Sequence, residues 1–80
     1  MKIPRDCNGA ELARAVRRLG YEIRRQTGSH IQLATQRGGE HHVTIPNHRP
    51  LKIGLLHGLL KDIAGHHKMN MQDLLRELKL

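Results

Sequence analysis

Residues 21–45 read YEIRRQTGSHIQLATQRGGEHHVTI, and this stretch decides the fold. Three segments with period-two character, Tyr21 to Thr27, His30 to Gln36 and His42 to Ile45, are separated by Gly28-Ser29 and by Arg37-Gly38-Gly39-Glu40. Short glycine turns between such segments predict an antiparallel meander. In the second segment Ile31, Leu33 and Thr35 alternate with His30, Gln32 and Ala34, and in the third Val43 and Ile45 alternate with His42 and Thr44. Successive strand side chains point to opposite faces, so one face of the sheet is apolar and the other polar. Such a sheet requires helical cover on one side only.

The flanking segments supply that cover. Upstream, Leu12, Ala13, Val16 and Leu19 follow helical spacing, with Asn8 as the candidate N-cap, Glu11 three residues later and Gly20 at the stop. Arg14, Arg17 and Arg18 occupy the other face of this helix, which is either simply solvated or a phosphate contact. Downstream, Pro46 and Pro50 bracket Asn47-His48-Arg49, and Leu51, Leu55, Leu56, Leu59, Leu60 and Ile63 then form a wide apolar helical stripe as far as Gly65. Gly54 and Gly58 each cost about 1 kcal/mol against Ala inside a helix, and close packing on the sheet or the first helix is the expected reason for them. His66-His67-Lys68 reads as a loop. Asn70 then caps a third helix whose Met71, Leu74, Leu75 and Leu78 face either the core or a partner. With no linker or repeat, the expectation is one α+β domain over residues 1–80. Its order is α-β-β-β-α-α, with helices on one face of a three-stranded antiparallel sheet.

Composition narrows the function. A chain of 80 residues, 38% hydrophobic, has room for one small core and not for a deep substrate cavity, so any chemistry sits on a surface or in a shallow groove. Cys7 is the only cysteine, which excludes a disulfide framework or a Cys-rich zinc site and favours a reducing cytoplasm. No apolar run approaches the roughly 18 residues of a membrane helix. The first twenty residues are interrupted by Lys2, Arg5, Asp6, Arg14, Arg17 and Arg18, unlike a signal peptide. The net charge is +7, of which +5 lies in residues 1–50 (nine bases, four acids). Such a surface attracts phosphate-rich partners.

Seven scattered carboxylates, Asp6, Glu11, Glu22, Glu40, Asp62, Asp73 and Glu77, form no pair at strand or helix spacing, which disfavours a two-metal nuclease. P-loop, Rossmann and Gly-x-Ser-x-Gly signatures are absent. Of the seven histidines, His41 and His42 should point to opposite faces of a strand, and His66 and His67 have no Cys or carboxylate at finger-like spacing, so neither metal nor cofactor is expected. His57 falls on the polar side of the second helix. His30 differs: it opens the second strand directly after Gly28-Ser29, on the polar face, near Arg24, Arg25 and Gln26. An imidazole with a pKa of about 6.5 can accept the proton of a ribose 2′-hydroxyl, while Arg24 or Arg25 holds the adjacent phosphate. RNA then provides its own nucleophile. On the residues alone, an ordinary exposed strand histidine is the simpler reading.

Several longer pieces change that balance. The first helix ends in Leu19-Gly20-Tyr21, followed by Arg25-Gln26-Thr27-Gly28-Ser29-His30-Ile31, by Val43-Thr44-Ile45-Pro46-Asn47-His48, and by Leu51-Lys52-Ile53-Gly54-Leu55-Leu56 leading to Ile63-Ala64-Gly65. In this order and over Gly9 to Leu78, the chain resembles the HicA (YcfA-like) toxin family of type II toxin-antitoxin systems. The resemblance implies a fold similar to a double-stranded-RNA-binding domain and an mRNA-cleaving endoribonuclease, an mRNA interferase, that arrests translation. It also implies that His30 is catalytic, that Gly28 and Ser29 shape the turn presenting it, and that His48 and Lys52 are substrate-binding candidates. The implied partners are mRNA and a HicB-type antitoxin that covers the site, with no membrane and no small-molecule cofactor. Leu55 departs from the family's usual Thr or Ser, and His66-His67-Lys68 looks like a short insertion. The competing class is a non-catalytic double-stranded-RNA-binding module. It would place a basic cluster where Lys52 stands almost alone.

Overall fold

The computed structural model describes residue 3 and residues 6–80. Lys2 and Arg5, counted above in the charge and in the case against a leader, lie outside the described residues. Helix α1 spans Gly9–Ala15 and tightens into a 3-10 turn, Val16–Leu19. Strands β1 (Glu22–Thr27), β2 (His30–Thr35) and β3 (His41–Pro46) follow, then α2 (Ile53–His66) and α3 (Met71–Leu78). The strands form one antiparallel sheet in the order β1-β2-β3, the predicted meander.

The local signals account for the ends of these elements. The backbone N–H of Asn8 donates to the Glu11 carboxylate at 3.1 Å, the reach-back half of a capping box. Gly20 closes the 3-10 turn with a φ of 87°, a left-handed conformation that favours glycine. Asn70 caps α3 by accepting from the Asp73 N–H at 2.7 Å.

Core-facing residues of β2 and β3, Ile31, Leu33, Val43 and Ile45, are buried with Leu12, Val16 and Leu19 from the first helical segment and Leu56, Leu60 and Ile63 from α2. On the opposite face His30, Gln32, His42 and Thr44 are exposed. The helices thus cover one face, as the alternation requires. They contact β3 and leave β1 overhanging: every residue of β1 is exposed, and Ile23 on its helix-facing side keeps 50% of its surface.

Three expectations need correction. Helix α2 runs through His66 and is capped by His67, so these two histidines belong to a helix end and not to a loop. Its apolar stripe is narrower than the leucine spacing suggests, because Leu55 and Ile53 point outward, 39% and 50% exposed. Gly54 and Gly58 pack against nothing: a Cβ at either would meet no atom within 4 Å. For α3, of the two readings left open the structure takes the first: Leu74, Leu75 and Leu78 are buried in this chain's own core.

Candidate nucleic-acid interface

The β1–β2 turn carries His30. Gly28 has a φ of 55° and leads a two-residue turn, the position at which a type II′ hairpin demands glycine. The turn sets the register: Thr27 pairs with His30, Gln26 with Ile31 and Arg25 with Gln32. On its other side His30 pairs with Pro46. His30 is exposed on the helix-free face of the sheet.

Thr27 lies directly across from His30, and the Arg25 Nε–H donates to the Thr27 hydroxyl at 3.2 Å. Side chains directly opposite on paired strands have Cβ atoms about 5 Å apart, so this hydrogen bond brings the Arg25 guanidinium to the row that holds the imidazole. Arg24 is placed differently. The register slips between Ile23 and Arg25, leaving Arg24 in an irregularity of the ladder. Its charge, with the stronger effect of the His42 hydrogen bond, helps to hold the Glu40 carboxyl below its usual value. Glu40 precedes β3, at the far end of the sheet.

Three main-chain hydrogen bonds tie the surrounding pieces together. Asn47 N–H donates to Ser29 O at 2.6 Å, Gly9 N–H to His48 O at 2.9 Å, and Leu51 N–H to Cys7 O at 2.9 Å. The hairpin turn, the β3–α2 loop and the start of α1 therefore form one platform. Gly9 is obligatory there, because a Cβ would overlap the Pro46 carbonyl oxygen and stand 2.9 Å from Asn47 Cα. His48 and Lys52 are exposed, and Lys52 precedes α2 with an extended backbone. No side chain caps the first turn of α2. His30, Gly28, Ser29, Arg25, His48 and Lys52 are thus gathered toward one end of the sheet, whereas Arg24 is not.

The overhang of β1 opens a cleft of about 190 Å³ lined by Ala10, Ala13, Arg14, Arg17, Ile23, Gln26, Ile31 and Asn47. Here the structure adds Asn47, which the sequence had not selected, to Arg14 and Arg17, which it had offered as phosphate contacts. Among the described residues Asn47 Oδ1 is buried without a hydrogen-bond partner, and Arg14 of α1 and Arg17 of the 3-10 turn stand beside it in the lining. The only signal for Asn47 was its place between Pro46 and His48. Cys7 is buried, and burial together with the Glu11 carboxylate pushes its thiol up, so it stays protonated and is no nucleophile.

Among the described residues no three His, Cys, Asp or Glu side chains converge on a metal position, and no helix is long and apolar enough to cross a membrane. Comparison with curated proteins and with solved structures gives no match. A family model does match: that of the HicA toxin of bacterial toxin-antitoxin systems aligns with residues 9–64, from the obligatory Gly9 through the hairpin of His30 to most of α2. That is more than half of the 80-residue chain, and the chain belongs to the HicA toxin family.

Proposed function

We propose that the protein is a metal-independent endoribonuclease, an mRNA interferase, with His30 as its catalytic residue. The observation that carries this reading is the placement of an exposed imidazole on the open sheet face, with the Arg25 guanidinium steered toward it through Thr27. His30 removes the proton of a ribose 2′-hydroxyl. The 2′-oxygen then attacks the adjacent phosphorus, the P–O2′ bond forms and the P–O5′ bond breaks. The proton ends on the departing 5′-oxygen, and the products are a 2′,3′-cyclic phosphate and a 5′-hydroxyl. Arg25 stabilises the charge that develops on the non-bridging oxygens. Lys52, His48 and the turn of Gly28 and Ser29 position the strand, and a HicB-type antitoxin silences the toxin by covering this face.

The test compares wild type with His30→Ala on single-stranded and duplex RNA in EDTA. Cleavage by the wild type, and its loss in a variant that keeps the same melting temperature and RNA affinity, supports the proposal. Undiminished cleavage by His30→Ala removes His30 from its role. Retardation of duplex RNA without fragments would instead identify a binding module.

A further inference from the structure

Five side chains dispersed along the sequence, Tyr21, His41, Asp62, His66 and His67, meet at the other end of the molecule. His41 opens β3 and His30 pairs at its close with Pro46, so at about 3.4 Å per residue the two lie roughly 17 Å apart along the sheet. His41 pairs with Thr35, whose side chain is buried on the helix-covered face. This region therefore differs from the candidate nuclease site in both end and face.

Its hydrogen bonds have a fixed direction. An ionised carboxylate only accepts, so His41 Nε2–H donates to Asp62 Oδ1 at 3.3 Å. In the tautomer with the His41 proton on Nε2, Nδ1 accepts from the Tyr21 hydroxyl at 2.7 Å, and the Tyr21 oxygen accepts from His67 Nε2–H at 3.1 Å. The chain leaves His67 Nδ1 bare. His66 Nε2–H donates to the carbonyl oxygens of Arg37 and Gly39, at 3.0 and 3.1 Å, which leaves its own Nδ1 bare. The His66 ring stacks on His41 with centroids 4.4 Å apart and meets His67 edge-on at 4.8 Å.

Beside these rings is an open cleft of about 360 Å³ lined by Arg37, Gly38, His66, His67, Lys68 and Met69. Among the described residues its lining holds two permanent cations, two imidazoles each with an unengaged nitrogen, and no carboxylate. Lys68 has a φ of 56°, just past the end of α2, where glycine is the usual residue. Burial, followed by the charges of His66, Arg37 and His41, lowers the pKa of His67. A negative group in the cleft would reverse those charge effects. A cation would add to them.

We propose that this cleft is a binding site for a tetrahedral oxyanion of the phosphate class, and that His67 takes up a proton at Nδ1 when the anion binds. Arg37 and Lys68 supply the permanent charge, and the Tyr21–His41–Asp62 chain holds His67 in the orientation that leaves Nδ1 available. The proposal is independent of the nuclease reading, since neither His30 nor Arg25 takes part.

Sulfate is the probe, because its charge is constant across the pH range in which histidine titrates. Histidine Cε1–H resonances of the full chain are followed by NMR between pH 5.5 and 7.5, in sodium sulfate and in sodium chloride of matched ionic strength. The expected result is a saturable shift and a raised pKa at His67 in sulfate only. Affinity should be on the order of tenfold higher at pH 5.5 than at pH 7.5, as one added charge close to a dianion allows. Combined Arg37→Gln and Lys68→Gln changes should abolish the response while the melting temperature is unchanged, and His30→Ala should retain it. A short single-stranded oligoribonucleotide forms a second arm. Competition with sulfate at His67 makes a nucleic-acid backbone the source of the phosphate, and sulfate binding without competition makes a small free anion the source. An equal response to chloride, survival of binding in the double variant, or its loss in His30→Ala overturns the proposal.

Discussion

Arg24 and Arg25 are chemically identical neighbours, and one break in the β1–β2 register separates their surroundings. Replacing Arg25 by Gln removes a cationic donor from the row of His30 and should lower cleavage about 100-fold, the usual effect of deleting one charge-stabilising donor. Arg24→Gln, measured in the same assay, should stay close to wild type. The sequence offered both as equivalent because strand alternation says nothing about where a ladder slips. At Thr35 the alternation placed the residue on the apolar face and the structure adds why it is polar. Its hydroxyl donates to Leu19 O and accepts from the Arg37 N–H, each at 3.1 Å, in a buried position. Thr35→Val keeps the shape and strands two backbone groups, so chemical denaturation should show a loss of about 2 kcal/mol.

Among the elements, α1 and the hairpin were legible because their chemistry is local: Asn8 with Glu11, Gly20 and Gly28 all sit at positions where backbone geometry calls for them. Helix α2 was legible in its core side and misread on its outer side. Leu55 extends the apolar pattern beyond the surface that the sheet and α3 can cover, 39% exposed where Leu59 packs against the core, and periodicity does not reveal where cover ends. The two outward glycines give a direct test. Gly58→Ala in the exposed middle of α2 should stabilise the fold by about 1 kcal/mol, seen as a higher melting temperature. Gly9→Ala should do the opposite, costing about 3 kcal/mol, because its Cβ meets backbone on the β3–α2 loop.

For the whole molecule, contacts between distant segments decide what local pattern does not disclose. His41 was read as one of two strand histidines on opposite faces and His66 and His67 as a loop pair, since nothing in their spacing shows that β3 begins beside the end of α2. Their meeting gives stability a pH dependence. The folded state holds the His67 pKa below its ordinary value, through burial first and neighbouring charge second, so it resists protonation more than the unfolded chain does. Stability from this group is complete above about pH 6.5 and is lost as the pH falls through the lower folded-state value. Melting temperature should therefore drop between pH 7.5 and 5, and His67→Gln should flatten that drop. At the alkaline limit Tyr21, pushed up to about 12 by burial and then by Asp62, favours its protonated form in the fold. Its contribution is lost as pH rises from about 10 through that value. RNA affinity reports the opposite end of the sheet: the slope of log affinity against log salt should fall by about 0.7 for each of Arg25 and Lys52 replaced by Gln.

The three bonds that join the hairpin turn, the β3–α2 loop and the start of α1 all run between main-chain atoms. Mounting and decoration are consequently separate inheritances. On the proposed function, Ser29, Asn47 and His48 can be exchanged for other residues, altering which RNAs or which antitoxin the surface prefers, while the histidine beside them stays where it is.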